Sequence, residues 1–389
     1  MTKKELSASQ LRRFSAAARR ERVLASPRYL DKEGGGVFAN ASGAAPGLDP
    51  NASSPTLRDF VSSRSLRRPP APLPAHDPRE RWRRAADSGL RATWLGHSTV
   101  LLEIDGQRVL TDPVWGQRAS PLPFAGPKRF QPVPVAIAAL PPLDAVIISH
   151  DHYDHLDRGS VVELARRQPH VRFYTSLGVG AHLEGWGVDP ARIVELDWWE
   201  RVEIPRADGR SHLELHAAPS QHFSGRSLRD RNHTLWSSFV IRGPTRSVFF
   251  SGDTGLTPEY AEIAARLGPF DLVMLEVGAF HPSWGHIHLG PDNALEALRL
   301  LGDPCFLPVH WGTFSLALHA WDQPAERLLE LAPARGIALL MPELGAPVEP
   351  ARFDGLTKPW WRRLGEAVEP EPEREREPDT GGRLIVPID

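Results

Sequence analysis

Short runs of apolar or alternating residues recur from about Leu90 onward, each closed by Gly, Pro or Asp. Such runs predict strands, and 91–95, 100–104 and 108–111 are the first of them. Asp105 and Gly106 between the last two predict a tight hairpin. Residues 145–148 are apolar throughout and predict a buried strand. Further strands at 171–174, 192–196, 212–217, 236–241, 247–250, 272–275 and 305–309 interleave with helical patterns at 159–168, 177–186, 258–267, 291–301 and 325–331. Pro291 suits the first turn of its helix, where no backbone N–H is needed. Strands come first in clusters and then alternate with helices. This order predicts an α/β (α+β) chain, with two central mixed sheets and helices outside, an αβ/βα four-layer sandwich.

The flanks have a different texture. Residues 1–88 read as an N-terminal extension, partly disordered or wrapping the core. Within it, 11–24 carries Arg12, Arg13, Arg19, Arg20 and Arg22 and predicts a short basic helix, more readily a solvated arm than a lipid-binding one. Residues 34–55 are rich in Gly, Ala, Ser and Pro, and 67–74 reads as an extended connector. Removing residues 1 to 30 is expected to leave the chemistry intact, because they carry no candidate ligand. Residues 351–389 read as a charged tail, with Glu, Pro and Arg alternating from 366 to 379 and disorder expected there. The catalytic domain is expected at 89–350.

Composition narrows the function classes. The chain has 389 residues, 41% of them apolar, enough for a sizeable core. Its formal net charge is -2, from 46 basic and 48 acidic side chains, so no global field favours nucleic acid. One cysteine, Cys305, excludes a disulfide scaffold and a thiolate-rich metal site. No apolar run is long enough to span a membrane, and the first 24 residues lack a signal-peptide core. Two Asn-x-Ser patterns, at Asn40 and Asn51, then read as chance. The expected location is cytoplasmic, with peripheral membrane contact.

The chemistry begins where the buried run 145–148 ends. Residues 149–157 contain three histidines and three aspartates: His150, His152, His155, Asp151, Asp154 and Asp157. In an extended turn His150 and His152 share a side, because side chains two apart face the same way. Asp154 and His155 form a second group one step on. Imidazole and carboxylate are the ligands that borderline cations such as zinc accept. Three more polar groups stand just past apolar strands: His222, Asp253 and His310. Glycines at 252 and 255 let the backbone at Asp253 turn sharply. If the strands gather in sheets, their ends can converge on one rim.

These segments resemble the metallo-β-lactamase fold superfamily. Further segments narrow the resemblance: 93–99, 110–113, 118–121, 126–130, 195–200, 219–222, 268–272 and 310–314. Together they resemble the N-acylphosphatidylethanolamine-hydrolysing phospholipase D family, from about Leu90 to about Pro342. The resemblance implies two zinc ions per chain. His150, His152 and His222 would hold one, and Asp154, His155 and His310 the other, with Asp253 bridging. Asp151 stands where the family usually has a residue such as Asn and is not implied as a ligand. The resemblance also aligns His288 with an active-site histidine, with His281 and His286 as competitors. Asp112 is expected to orient a ligand, and His97 to do the same or to hold a turn.

The expected reaction is hydrolysis of an N-acylphosphatidylethanolamine-type phospholipid to an N-acylethanolamine and a phosphatidic acid, with Asp154, Asp253 and His288 as catalytic residues. The expected partners are a phospholipid substrate and a membrane surface, with a homodimer as a candidate assembly and no nucleic acid. Trp115, Leu122, Phe124, Phe130, Trp284, Trp311 and Phe314 lie in stretches that read as loops, either lining an acyl groove or filling core. Lys128 and Arg129 would offer a basic spot for a phosphate. Alternative readings are a dinuclear hydrolase of a soluble phosphodiester or a lactone, a metal-dependent nuclease, and a binding protein with a vestigial site. The charge balance weighs against the nuclease, and seven filled ligand positions weigh against the vestigial site.

Overall fold

The computed structural model describes residues 8–30, 35–43, 65–206, 212–227 and 229–364, with isolated positions between 53 and 63. In chain order the first strands are β1 (Tyr29–Leu30), β2 (Val37–Phe38), β3 (Leu90–Gly96), β4 (Thr99–Ile104), β5 (Gln107–Thr111), β6 (Ala145–Ile148), β7 (Arg172–Ser176) and β8 (Ile193–Leu196). They continue as β9 (Arg201–Pro205), β10 (His212–Ala218), β11 (Ser238–Arg242), β12 (Ser247–Phe250), β13 (Leu272–Glu276), β14 (Cys305–Val309) and β15 (Pro347–Val348).

Two mixed sheets form the centre. One has the order β15-β3-β4-β5-β6-β7-β8 and the other β14-β13-β12-β11-β10-β9. The hairpin expected at Asp105–Gly106 joins β4 to β5, with both residues at positive φ. Alternation along the strands sorts the core into layers. Trp94, Leu102, Val109 and Ile147 meet Leu215, Phe239, Phe250 and Met274 between the sheets. Their neighbours Leu95, Leu101, Val146 and Ile148 face the other way, onto Val161, Leu164 and Leu183 of the helices Arg158–Arg167 and Gly180–Gly185. Helices Glu259–Leu267, Gly290–Leu300 and Gln323–Leu331 bury Ile263, Leu298 and Leu328 in the core cluster that includes the second sheet. The result is the helix–sheet–sheet–helix sandwich of the metallo-β-lactamase fold.

The flanks pack more closely than their composition suggests. The basic stretch is a helix, Ala8–Ala25. Arg19 is bound to Glu184 at 2.9 Å and to Glu195 at 2.6 Å, so its charge is spent on this domain. Beyond residue 350, where the sequence suggests only tail, Trp360 and Trp361 are buried against Trp94 and Trp311. Burying two indoles offsets the ordering of this segment. The Glu-Pro-Arg stretch at 366–379 lies outside the described residues. Among the described residues, no helix is long and apolar enough to cross a membrane.

Candidate metal centre

Each sequence-predicted ligand stands just past the C-terminal end of a strand. Asp112 follows β5, the loop 149–157 follows β6, His222 follows β10, Asp253 follows β12 and His310 follows β14. Glu276 is the last residue of β13. The chain leaves these strands abruptly: Asp112, Gly252 and His310 have φ of 31°, 56° and 66°. Positive φ is costly for a side-chain-bearing residue and persists only where its surroundings enforce it. The His310 carbonyl packs onto Gly278, where a Cβ would lie 1.9 Å from that oxygen, so only glycine leaves room for it.

The seven sequence-predicted ligands come together in two groups. His150, His152, His222 and Asp253 form one, and Asp154, His155 and His310 form the other together with His97. His152 Nδ1 lies 2.9 Å from His150 Nε2 and 3.2 Å from His222 Nε2, so three nitrogens converge. Asp253 stands between the groups. Its Oδ1 is 3.1 Å from His155 Nε2, and its Oδ2 is 3.1 Å from His310 Nε2 and 3.8 Å from His222 Nε2. Asp154 Oδ2 lies 3.3 Å from His310 Nε2.

Whether these residues suit a cation can be judged from what they leave unpaired. His155 Nε2, His310 Nε2 and Asp253 Oδ1 are buried, and their 3.1 Å approaches to one another and to Asp253 Oδ2 lack hydrogen-bond geometry. Buried polar atoms without partners are disfavoured, and three aimed at one region suit a ligated ion. The electrostatics agree. Burial opposes the charge on Asp253, but His155 and His310 outweigh it and hold the carboxylate well below its ordinary range. Burial likewise opposes charge on His310, yet Asp253 and Asp154 raise it to about 10. The pocket thus calls for positive charge. In the other group, burial and neighbouring imidazoles push His150 well below the ordinary value, the neutral state that ligation requires.

An outer layer orients the donors. Asp112 is fully buried, and its Oδ2 accepts from His155 Nδ1 at 2.6 Å and from the Ser149 hydroxyl at 2.6 Å. His222 Nδ1 donates to the Ile287 carbonyl at 2.8 Å. These contacts leave each Nε2 facing the centre. His97 does both things expected of it. Its Nε2 lies 3.1 Å from Asp154 Oδ2, and its backbone takes a φ of 53°. Burial, then His310, lowers its pKa to about 3, so it is neutral and donates to Asp154.

Of the three candidate histidines near 288, only His288 reaches the site. Its Nδ1 is 3.1 Å from Glu276 Oε1 and 4.0 Å from Asp253 Oδ2. His281 is held in a local turn by Ser283, and His286 is exposed. Asp151 points away, accepting from the Gly225 N–H and the Thr234 hydroxyl. Glu276 is the residue that sequence reasoning missed. It is fully buried and also accepts from the Leu289 N–H at 2.8 Å. The signal was present, since it ends an apolar strand just as Asp253 follows one.

The centre opens onto a cleft of about 790 Å³. Its lining combines polar His152, Asp154, Asp253 and His310 with apolar Phe223, Trp284, Ile287 and Leu316. The aromatic loop residues divide. Trp284 lines the cleft, Leu122 and Phe124 are exposed, and Trp311 and Phe314 are core. Trp115 and Phe130 are half-buried. Arg129 corrects the expected phosphate spot. It is buried, donates to the Val114 and Gly116 carbonyls and lies over the Phe314 ring. Burial lowers its pKa to about 10. It braces the loop, leaving only Lys128 exposed there.

Comparison with known proteins agrees with this geometry. Residues 107–311 match the family described as the beta-lactamase superfamily domain. Over 258 residues the chain is 40% identical to N-acyl-phosphatidylethanolamine-hydrolyzing phospholipase D 1 of Caenorhabditis elegans, covering 64% of this chain and 72% of that one. This chain belongs to the N-acylphosphatidylethanolamine-hydrolysing phospholipase D family of the metallo-β-lactamase superfamily. Like others of that superfamily it is a metal-dependent hydrolase. An uncharacterized protein of Mycobacterium tuberculosis is 45% identical over 341 residues, 87% of this chain and 88% of the relative. Among solved structures, an isothiocyanate hydrolase from Delia radicum gut bacteria has a TM-score of 0.52 at 22% identity, covering 67% of this chain and 98% of its own. That likeness concerns the fold alone.

Proposed function

We propose that this member of the family is a zinc-dependent phosphodiesterase with two ions per chain, acting on N-acylphosphatidylethanolamine-type phospholipids. The observation that carries the reading is the pair of histidine–carboxylate groups joined at Asp253 and opening onto a cleft lined in part by apolar side chains. His150, His152 and His222 would hold one ion, and Asp154, His155 and His310 the other. Bound there, the ions would polarise a phosphoryl oxygen and make water nucleophilic near neutral pH.

The protein's own groups do the rest. Asp154 and Asp253 place negative charge where the ions sit, and Asp112 and His97 fix their neighbours. His288 lines the cleft with its Nδ1 held by Glu276, which leaves Nε2 free to hand a proton to the departing alcohol. Phe223, Trp284, Ile287 and Leu316 shelter an acyl chain from water. The lipid would come from a membrane that the protein touches peripherally. The likeness to the nematode enzyme, over 72% of that protein, supports this substrate class. The test compares the zinc-loaded protein on N-acyl phosphatidylethanolamine in mixed micelles, on a soluble diester and on a lactone. Preference for the micellar lipid is expected. Equal or higher rates on the soluble compounds, with no binding to anionic liposomes, would defeat the lipid assignment.

A further inference from the structure

Residues before β3 contribute no candidate ligand, yet one stretch of them lies against the metal-centre loops. β2 runs into a turn closed by the Gly43 N–H on the Asn40 carbonyl at 3.1 Å. Phe38 is buried with Trp198, Leu235 and Trp236, and its N–H donates to the Asn232 carbonyl at 2.8 Å. The Asn40 side chain is 6% exposed. Its Oδ1 accepts from the backbone N–H of His222 at 3.0 Å and from Trp236 Nε1 at 3.0 Å. Next to it, the Ser42 hydroxyl donates to Gln221 Oε1 at 2.5 Å. Asn40 heads one of the Asn-x-Ser patterns, and its burial supports reading that pattern as chance.

His222 lies in the connection between β10 and β11, outside any regular element. Its backbone N–H is buried and has no ladder to join. A buried donor without an acceptor is strongly disfavoured, so the Asn40 oxygen supplies what the fold there lacks. The residue is thereby fixed at two points: the backbone by Asn40, and the ring by Nδ1 on the Ile287 carbonyl at 2.8 Å. With both points held, Nε2 is turned toward His152 and Asp253. We propose that residues 37–43 form a strap that positions the His222 imidazole, with Asn40 as its positioning residue. The inference rests on the metal reading only for its functional consequence, since the strap itself is a matter of protein contacts.

The test uses the full-length protein and two readouts. Zinc affinity is measured by competition with a chromogenic chelator, and hydrogen exchange across residues 219–224 is measured on the chelated protein. Asn40→Leu should weaken zinc binding by about tenfold, as losses behind a ligand do. It should also speed exchange at 219–224 in the metal-free state. Asn40→Asp keeps the acceptor oxygen and should stay within about threefold of the parent, a span set by one weakened hydrogen bond. Unchanged exchange in Asn40→Leu overturns the strap, whatever the affinity of the parent for zinc. Faster exchange with undiminished zinc binding overturns its role in positioning His222. A parent that binds no zinc overturns the metal reading and that role, while exchange still decides the contact. Should Asn40→Leu lose cooperative unfolding, Ser42→Ala, at an exposed position, carries both readouts in the same directions.

Discussion

Gly278→Ala adds one methyl group where the structure has no room for it. The new Cβ would lie 1.9 Å from the backbone oxygen of His310, and 3.4 Å from its Nδ1. The neighbour is backbone, so no side-chain rotation relieves the clash. Ordinary contact starts at 3.4 Å, so β14's end must retreat by about 1.5 Å. Overpacking of this kind costs about 1–3 kcal/mol of stability. The functional cost should exceed that, because a displacement of about 1 Å at a reacting centre loses about a hundredfold in rate. Gly185→Ala is the control, since a Cβ there meets nothing within 4 Å. Chelator competition, thermal unfolding and phosphodiesterase rate would be measured on both. The expected result is a folded Gly278→Ala protein with weakened metal binding and about a hundredfold lower activity, beside an unaffected Gly185→Ala. Parent-like metal affinity and rate in Gly278→Ala would refute the claim that only glycine leaves room for the His310 carbonyl.

Asp253→Asn should cause the largest loss of bound metal among the site variants, because Asp253 faces both groups; elemental analysis of each variant checks the ranking. Asp112→Asn should weaken metal binding by about 10–100-fold through His155, measured by chelator competition. His288→Asn should lower kcat by about 10²–10⁴ with metal content unchanged, the signature of a lost proton donor. Arg129→Met should lower Tm by losing hydrogen bonds worth about 1–3 kcal/mol while leaving KM for the lipid unchanged, since that guanidinium is buried structure.

Most of the centre was legible because one rule repeats: an apolar strand followed at once by His or Asp. The rule brought out His150, His222, Asp253 and His310, and the glycines at 252 and 255 marked the sharp turn. A Cβ on Gly255 would lie 2.2 Å from the His286 carbonyl, which is why that position has none. The same rule reaches Glu276, but as the final residue of β13 it reads as part of the strand. Lys128 and Arg129 show a different limit. Adjacent residues in an irregular loop have no period, so the sequence could not say that Arg129 turns inward. Trp360 and Trp361 sit beside a charged, proline-broken stretch, which hid their part in the core. Asn40 was invisible for a related reason, because its value lies in an N–H that becomes orphaned only once the chain is folded. The short strands β1, β2 and β15 are too brief to show alternation, and β9 lies outside the runs that the sequence predicts as strands.

The central claim is a dinuclear centre, and metal content tests it most directly. Protein purified without chelator and analysed by elemental mass spectrometry should carry about two zinc ions per chain, as a two-metal phosphodiesterase site would. Asp253→Asn should carry fewer, and chelation should abolish hydrolysis until zinc is restored. A fully active protein with a single ion, or with none, would contradict the account.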